Sequence, residues 1–344
     1  MNRRHALAAA LAIGAAPGAI AVSAAPAVTM QEYPVPAGTH PHDVACAGQT
    51  LEAGIWFTAQ ATGHLGWLDP LTEAVQLIPL AGPGQRSSPH GVVVAPDGGA
   101  WVTDGGLNAI VRVDPISHEV RRFPLPSSRG NANLNTAAFD ARGLHYFTGQ
   151  NGVYGRLDPA NGEMQVFDAP RGRGPYGICA TPAGQVYYVS LAGSHLTWIE
   201  PESGAAHVIQ PPTPNQGARR VWSDSRGRLW ISEWNVGQLS RFEPSPEDPT
   251  SGDWRVWKLP GARPMTYAVY VDDIDHVWVT DFGANALVRF DPETETFDSF
   301  PHPRPNAAVR QLLGRPGEVW GALSSQDKLV VMRRQPPETA EPAA

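Results

Sequence analysis

An all-β chain wound into a seven-bladed β-propeller of four-stranded blades is the fold this sequence predicts, on three observations. An aromatic residue opens a short hydrophobic segment seven times: WFTA from Trp56, WVTD from Trp101, YFTG from Tyr146, YVSL from Tyr188, WISE from Trp230, WVTD from Trp278 and WGAL from Trp320. The gaps between them are 45, 45, 42, 42, 48 and 42 residues, and a repeat of about 40–50 residues carried by short strands marks propeller blades. The third observation is a mismatch of strands at the ends. The seventh repeat stops after three strands at LVVMRR, ending at Arg334, while QEYPVP from Gln31 to Pro36 stands alone at the start. Pairing that N-terminal strand into the last blade closes the ring and removes two open sheet edges.

Each repeat is expected to hold four strands. The first follows a turn and is the innermost: HPHDVAC from His40, SPHGVVV from Ser88, LNTAAF from Leu134, GPYGICA from Gly174, ARRVWS from Ala218, TYAVYV from Thr266 and AVRQLL from Ala308. The aromatic-led segment is the second, often entered through a glycine turn such as Asp97-Gly98-Gly99. The third ends in an acid–proline pair: Asp69-Pro70, Asp114-Pro115, Asp158-Pro159, Glu200-Pro201, Glu243-Pro244 and Asp291-Pro292. A fourth alternates apolar and polar residues and stops near a proline, as in VRRFPLP from Val120. Alternation bounded by turn residues is the signature of a half-buried strand. The single long gap is taken up by the loop SPEDPTS, Ser245–Ser251.

Composition narrows the function. The 344 residues carry a net charge of −7, which becomes −9 when Arg3 and Arg4 are removed with a leader, and no basic run follows them; that excludes a nucleic-acid footprint. Residues 1–27 read as an export signal: paired arginines, an Ala/Leu/Ile/Val run to about Val22, then small residues offering cleavage sites. The pair resembles a twin-arginine signal, and an ordinary secretory signal leads to the same place, the bacterial periplasm or the exterior. The propeller is assigned to 28–334, and 335–344 to a disordered Pro/Glu/Ala tail. Cys46 and Cys179 fall on innermost strands three blades apart, beyond the roughly 7 Å that a disulfide spans, so both are expected as buried thiols.

The entry turns of the innermost strands converge on one channel mouth. Aligning those strands puts His42, His90, Asn135, Tyr176, Arg219 and Tyr267 in equivalent positions, with Val309 or Arg310 in the seventh and Arg310 the better match. Two imidazoles in adjacent blades suit proton transfer or binding to an oxygen or a metal, and two arginines suit a carboxylate. Water filling the channel is the alternative reason for polarity there. A second tier ends the aromatic-led strands, Asp104, Glu233 and Asp281, with Gln60 and Gln150 one step further on. Those carboxylates are expected either to help hold Mg²⁺ or Ca²⁺ or to bind neighbouring loop backbones. Trp234 and Trp222 are expected to flank the mouth. HExxH, CxxC, GxSxG and P-loop motifs are absent, and Asp272–His276, with three acids in five residues, reads as an exposed turn.

The PHGV and PYGI turns, the WFTx/WVTD strand and the x-L-x-R-x-D-P strand resemble the virginiamycin B lyase (streptogramin lyase) family of seven-bladed propellers, over residues 31–334. The resemblance implies a divalent metal, usually Mg²⁺, and a histidine base that opens a cyclic depsipeptide by elimination. It makes His90, in Pro89-His90, the base, and His42, in Pro41-His42, a substrate contact. Ser88 stands where the family pattern has glutamate before Pro-His, Asn135 stands at the tyrosine position of the next blade, and the pair lies in blades one and two rather than the last two. Three functions follow as expectations: an exported lyase opening a cyclic ester or lactone, a gluconolactonase-like hydrolase with a channel metal, or a periplasmic module binding a small or peptide-like ligand. A monomer is expected, with no nucleic-acid or membrane partner.

Overall fold

The computed structural model describes residues 27–335. Within them lie seven four-stranded antiparallel sheets and one helical turn, Ser127–Arg129. The expected export signal and the tail past Gln335 lie outside the described residues. The innermost strands are Pro41–Cys46, Pro89–Val94, Leu134–Phe139, Pro175–Ala180, Ala218–Ser223, Thr266–Val271 and Val309–Arg315. Each packs beside the innermost strand of the next blade, and the seventh beside the first, so the sheets form a closed ring.

The closure is the one expected. Val28–Pro34 pairs antiparallel with Lys328–Arg334, from Val28 opposite Arg334 to Pro34 opposite Lys328, and supplies the outer strand of blade seven.

The repeated aromatics are the cement between blades. Trp56, Trp101, Tyr146, Tyr188, Trp230, Trp278 and Trp320 are all at most 2% exposed. Burying an aromatic of this size removes about 150–250 Å² from water, at roughly 25 cal/mol per Å², and each blade repeats that gain. The acid of the acid–proline pair holds the next turn: Asp114 Oδ1 accepts Ile116 N–H at 3.0 Å and Ser117 N–H at 2.9 Å, and Asp69 Oδ1 accepts Leu71 N–H at 2.8 Å. Asp272 closes the turn at 272–276 in the same manner. The Ser245–Ser251 loop joins two long strands of blade five, Gln238–Pro244 and Gly252–Lys258.

Cys46 and Cys179 are free thiols, and burial pushes that of Cys46 up to about 12. Both line a cavity of about 530 Å³ where the innermost strands leave the channel, with Trp222 on its wall. Trp222 thus lies at the end opposite the entry turns, not at the expected mouth.

Candidate functional site

A β-bulge at the start of every innermost strand builds the entry mouth. In blade one the partners step from Pro41–Ala59 to Val44–Phe57, three residues against two, and all seven innermost strands carry such an irregularity. The extra residue breaks strict alternation, so two consecutive side chains serve the channel. The seventh strand steps after Val309, which places Arg310 in register with His42.

A hydroxyl in the second strand holds the bulge. Thr58 Oγ1 accepts Asp43 N–H at 2.9 Å and donates to the His90 carbonyl of the next blade at 2.8 Å. Thr103 accepts Gly91 N–H and donates to the Asn135 carbonyl, and Ser232 accepts Arg220 N–H and donates to the Tyr267 carbonyl. The third letter of WFTA, WVTD, YFTG and WISE is therefore what positions the site residues. Gly91 and Gly177 permit the close approach: a Cβ on Gly177 would lie 2.6 Å from Arg220 Cα.

The predicted ring residues do come together. The His42 and His90 rings stand 3.8 Å apart between centroids, and Tyr176 meets His90 edge-on at 6.1 Å. Tyr176 and Tyr267 share a hydrogen bond of 2.7 Å between hydroxyls. Arg219 donates to the Tyr176 hydroxyl at 3.2 Å and lies over the rings of Tyr267, Trp234 and Tyr176 at 3.7, 4.6 and 4.9 Å. Phe282 stacks on Tyr267 at 5.0 Å and meets Trp234. His42, Asn135, Tyr176 and Tyr267 are at most 3% exposed, whereas Arg219, Arg310 and Trp234 are half-buried.

Beneath them runs a second layer that sequence reasoning missed. Asp43 accepts the His42 Nδ1 hydrogen at 2.7 Å and two bonds from Arg220 Nη2, at 2.9 and 3.3 Å. Arg220 Nη1 donates to Thr136 Oγ1 at 2.7 Å, Thr136 donates to Asn135 Oδ1 at 2.8 Å, and Asn135 Nδ2 faces His90 Nε2 at 3.1 Å. Gln311 accepts Val44 N–H across the joint between blades seven and one. Alternation assigns these positions away from the channel; the bulge, invisible in one sequence, turns them toward it. The recurring hydroxyl of the second strand was the available signal.

Arginine can only donate, so Arg220 sets the direction of every hydrogen in this network. Along one arm it makes Thr136 and then Asn135 donors, which leaves His90 Nε2 the acceptor and puts the His90 hydrogen on Nδ1, a buried atom without a partner. Along the other arm an ionised Asp43 only accepts, so His42 carries its hydrogen on Nδ1 and its lone pair on Nε2. Burial, then Arg220, Arg310 and Arg219, holds the His42 pKa well below the usual range; burial and His42 do the same to His90. Asp43 is raised by burial, against which Arg220 works. Both imidazoles are therefore neutral at pH 7. A void of about 20 Å³ next to Asp43 and Arg220 is room for one water.

The three carboxylates expected around an ion are not gathered. Asp104 Oδ1 accepts the backbone N–H groups of Ser88, Gly106 and Leu107, each at 2.9 Å, and Asp281 Oδ1 those of Met265, Gly283 and Ala284. Glu233 is wholly buried and takes a bond from Gln238, and burial raises its pKa. The other role foreseen for these acids, binding loop backbone, is the one Asp104 and Asp281 fill. Among the described residues, the group whose atoms could share an ion is His42, Asp43 and His90, within 4.8 Å of one another. Mg²⁺ and Ca²⁺ seek oxygen ligands. This set offers two nitrogens and one carboxylate that already carries the Arg220 guanidinium, so it does not fit either ion.

The sequence model of the virginiamycin B lyase family matches residues 15–248. Virginiamycin B lyase from Staphylococcus aureus superposes with a TM-score of 0.79 at 18% identity, covering 90% of this chain and 100% of that one. A streptogramin B lyase structure gives 0.78 at 19% identity, over 90% and 98% of the two chains. A catalytically inactive variant of the Staphylococcus aureus enzyme, solved with quinupristin, gives 0.78 at 18%, over 90% and 100%. Likeness at such identity shows the fold. Gluconolactonase from Zymomonas mobilis is 29% identical over 160 residues, and the match spans 41% of this chain and 41% of that protein.

Proposed function

The chain belongs to the virginiamycin B lyase family, and from that premise we propose that it is an exported ring-opening enzyme acting on a cyclic ester or lactone at the entry mouth. The observation that carries this reading is the His42–Asp43 pair, 2.7 Å apart, which holds a neutral imidazole with its hydrogen on Nδ1. The lone pair on Nε2 is then the base. In elimination it takes a proton from the carbon next to the one bearing the ester oxygen. The C–H electrons form a C=C bond, the C–O bond breaks, and the former ester group departs as a carboxylate. Asp43 stabilises the resulting imidazolium until water takes the proton. The base assignment moves from His90 to His42, because Asn135 occupies the His90 Nε2 lone pair. No step is routed through Mg²⁺ or Ca²⁺, which the residues do not fit.

Hydrolysis is the second reading, favoured by the partial match to a gluconolactonase. There His42 Nε2 takes a proton from water as the hydroxide adds to the lactone carbonyl; the adduct then collapses, the ring C–O bond breaks, and the leaving alkoxide takes the proton back from the imidazolium. Turnover of a streptogramin B depsipeptide and of an aldonolactone in ¹⁸O-water separates the two. Elimination leaves the opened product unlabelled and creates an ultraviolet-absorbing alkene, whereas hydrolysis places one ¹⁸O in the carboxylate. Ring opening that survives His42→Ala at the wild-type rate would exclude this site in either case.

A further inference from the structure

We propose that the entry mouth is an anion site, taking a carboxylate against Arg219 and Arg310, and that the Arg220 guanidinium closes its His42–Asp43–His90 cluster to divalent cations. This goes beyond the reading above, since it holds whichever bond is broken.

Arg219, Arg220 and Arg310 all act on His42, and the carboxylate among these groups is Asp43. Both imidazoles are neutral, so three positive charges face one negative charge in a largely dry cluster. Arg220 spends its Nη atoms on Asp43 and Thr136. It reaches Asp43 at 2.9 Å, where a cation shared with the two histidines would have to sit, and like charge repels a second cation from the same place.

Arg219, although it donates to the Tyr176 hydroxyl and lies over three rings, has no carboxylate partner among the described residues, and neither has Arg310. The Nε of each is buried without a partner, and both are half-buried rather than sealed. A guanidinium fork matches a carboxylate with two parallel hydrogen bonds. The surroundings select the rest of the ligand. Trp234 and Phe282 stand edge to face at 5.6 Å beside Arg219 and Tyr267, an apolar wall for a flat or aliphatic body attached to the anion.

The test is equilibrium binding to the full chain at fixed ionic strength, by calorimetry, with benzoate, its neutral isostere benzamide, and MgCl₂ or MnCl₂ as probes. Benzoate is expected to saturate and to bind at least tenfold tighter than benzamide, and Arg310→Gln to weaken it at least tenfold, with Arg310→Lys recovering part of the loss. Mg²⁺ and Mn²⁺ are expected to show no saturable binding to wild type. Equal binding of benzoate and benzamide, or no binding of benzoate, overturns the anion site even if no variant folds. Stoichiometric Mg²⁺ or Mn²⁺ binding that disappears in His42→Ala overturns the closure to cations. None of these readings needs turnover, so failure of the proposed reaction leaves them intact.

Discussion

Arg220, in blade five, reaches across the channel to Asp43, in blade one, and the two side chains meet at 2.9 Å with 5% and 2% of their surfaces exposed. The pair ties blades that no sheet joins. Arg220→Gln leaves Asp43 buried without its counter-charge and is expected to cost about 3–5 kcal/mol of stability. In a double-mutant cycle with Asp43→Asn the two losses are expected to fall short of additivity by more than about 1 kcal/mol. Urea unfolding midpoints of the four proteins check it, and strict additivity would sink the coupling.

Acid should destabilise the protein from near pH 6.5 downward. His42 and His90 are held well below the usual range, chiefly by burial; His145, packed among Trp101, Phe139 and Phe147, is down to about 3; His195 and His302 are lowered too. A folded pKa below the unfolded value of about 6.5 means that the unfolded chain binds protons first. The stability is therefore complete above that value and lost as pH falls toward the folded pKa, by up to about 1.4 kcal/mol per pH unit for each imidazole. Asp43 and Glu233, raised by burial, act in the opposite direction but are two groups against five. Denaturation midpoints between pH 4.5 and 8 should be flat at the top and fall at the bottom; a rise on acidification contradicts the burial of these histidines.

Thr58→Val keeps the shape of the side chain and removes its hydrogen bonds, leaving Asp43 N–H and the His90 carbonyl without that partner. A loss of about 2 kcal/mol is expected. Because the hydroxyl fixes where Asp43 and His90 sit, any turnover should fall with it, seen as a lower kcat at little changed KM. A midpoint unmoved by the substitution would mean the bulge holds itself.

Gly177→Ala should be worse than its size suggests. The new methyl carbon would meet backbone on the adjacent strand, Arg220 Cα at 2.6 Å and the Arg219 carbonyl oxygen at 2.9 Å, and backbone cannot rotate away. We expect a loss of more than about 2 kcal/mol and a shift of the intrinsic tryptophan fluorescence as Arg219 moves over Trp234. Full stability with an unchanged fluorescence spectrum would show the strands free to part.

The architecture was legible because it rests on period and on burial, which a sequence displays. Seven aromatics at blade spacing became the seven buried ring positions between sheets, and the unpaired QEYPVP segment became the closing strand. The upper layer of the mouth was legible for the same reason: one residue per repeat, aligned, yields His42 through Arg310. The lower layer was not, because Asp43, Thr136 and Arg220 follow those residues directly, and a period of two sends neighbours to opposite faces. Only the inserted residue of the bulge overrides that rule. Of the two roles expected for the strand-end carboxylates, backbone binding is the one that Asp104 and Asp281 fill, again for a physical reason. An acid at a strand end has backbone N–H groups within reach, and Asp104 and Asp281 bind those rather than face an ion.

The strand that closes blade seven also sets a timetable. Thr29 and Gln335 are 306 positions apart in sequence and touch through their side chains. On a ribosome, Val28–Pro34 emerges long before its partner, Lys328–Arg334. Until that partner follows, the first segment is an unmatched edge, able to pair with the wrong neighbour. Six blades can be complete while the circle is still open, and bringing such distant ends together is slow. The last step of assembly is therefore a single long-range docking, and a nascent chain stopped shortly before Lys328 would hold most of its native contacts and none of its closure.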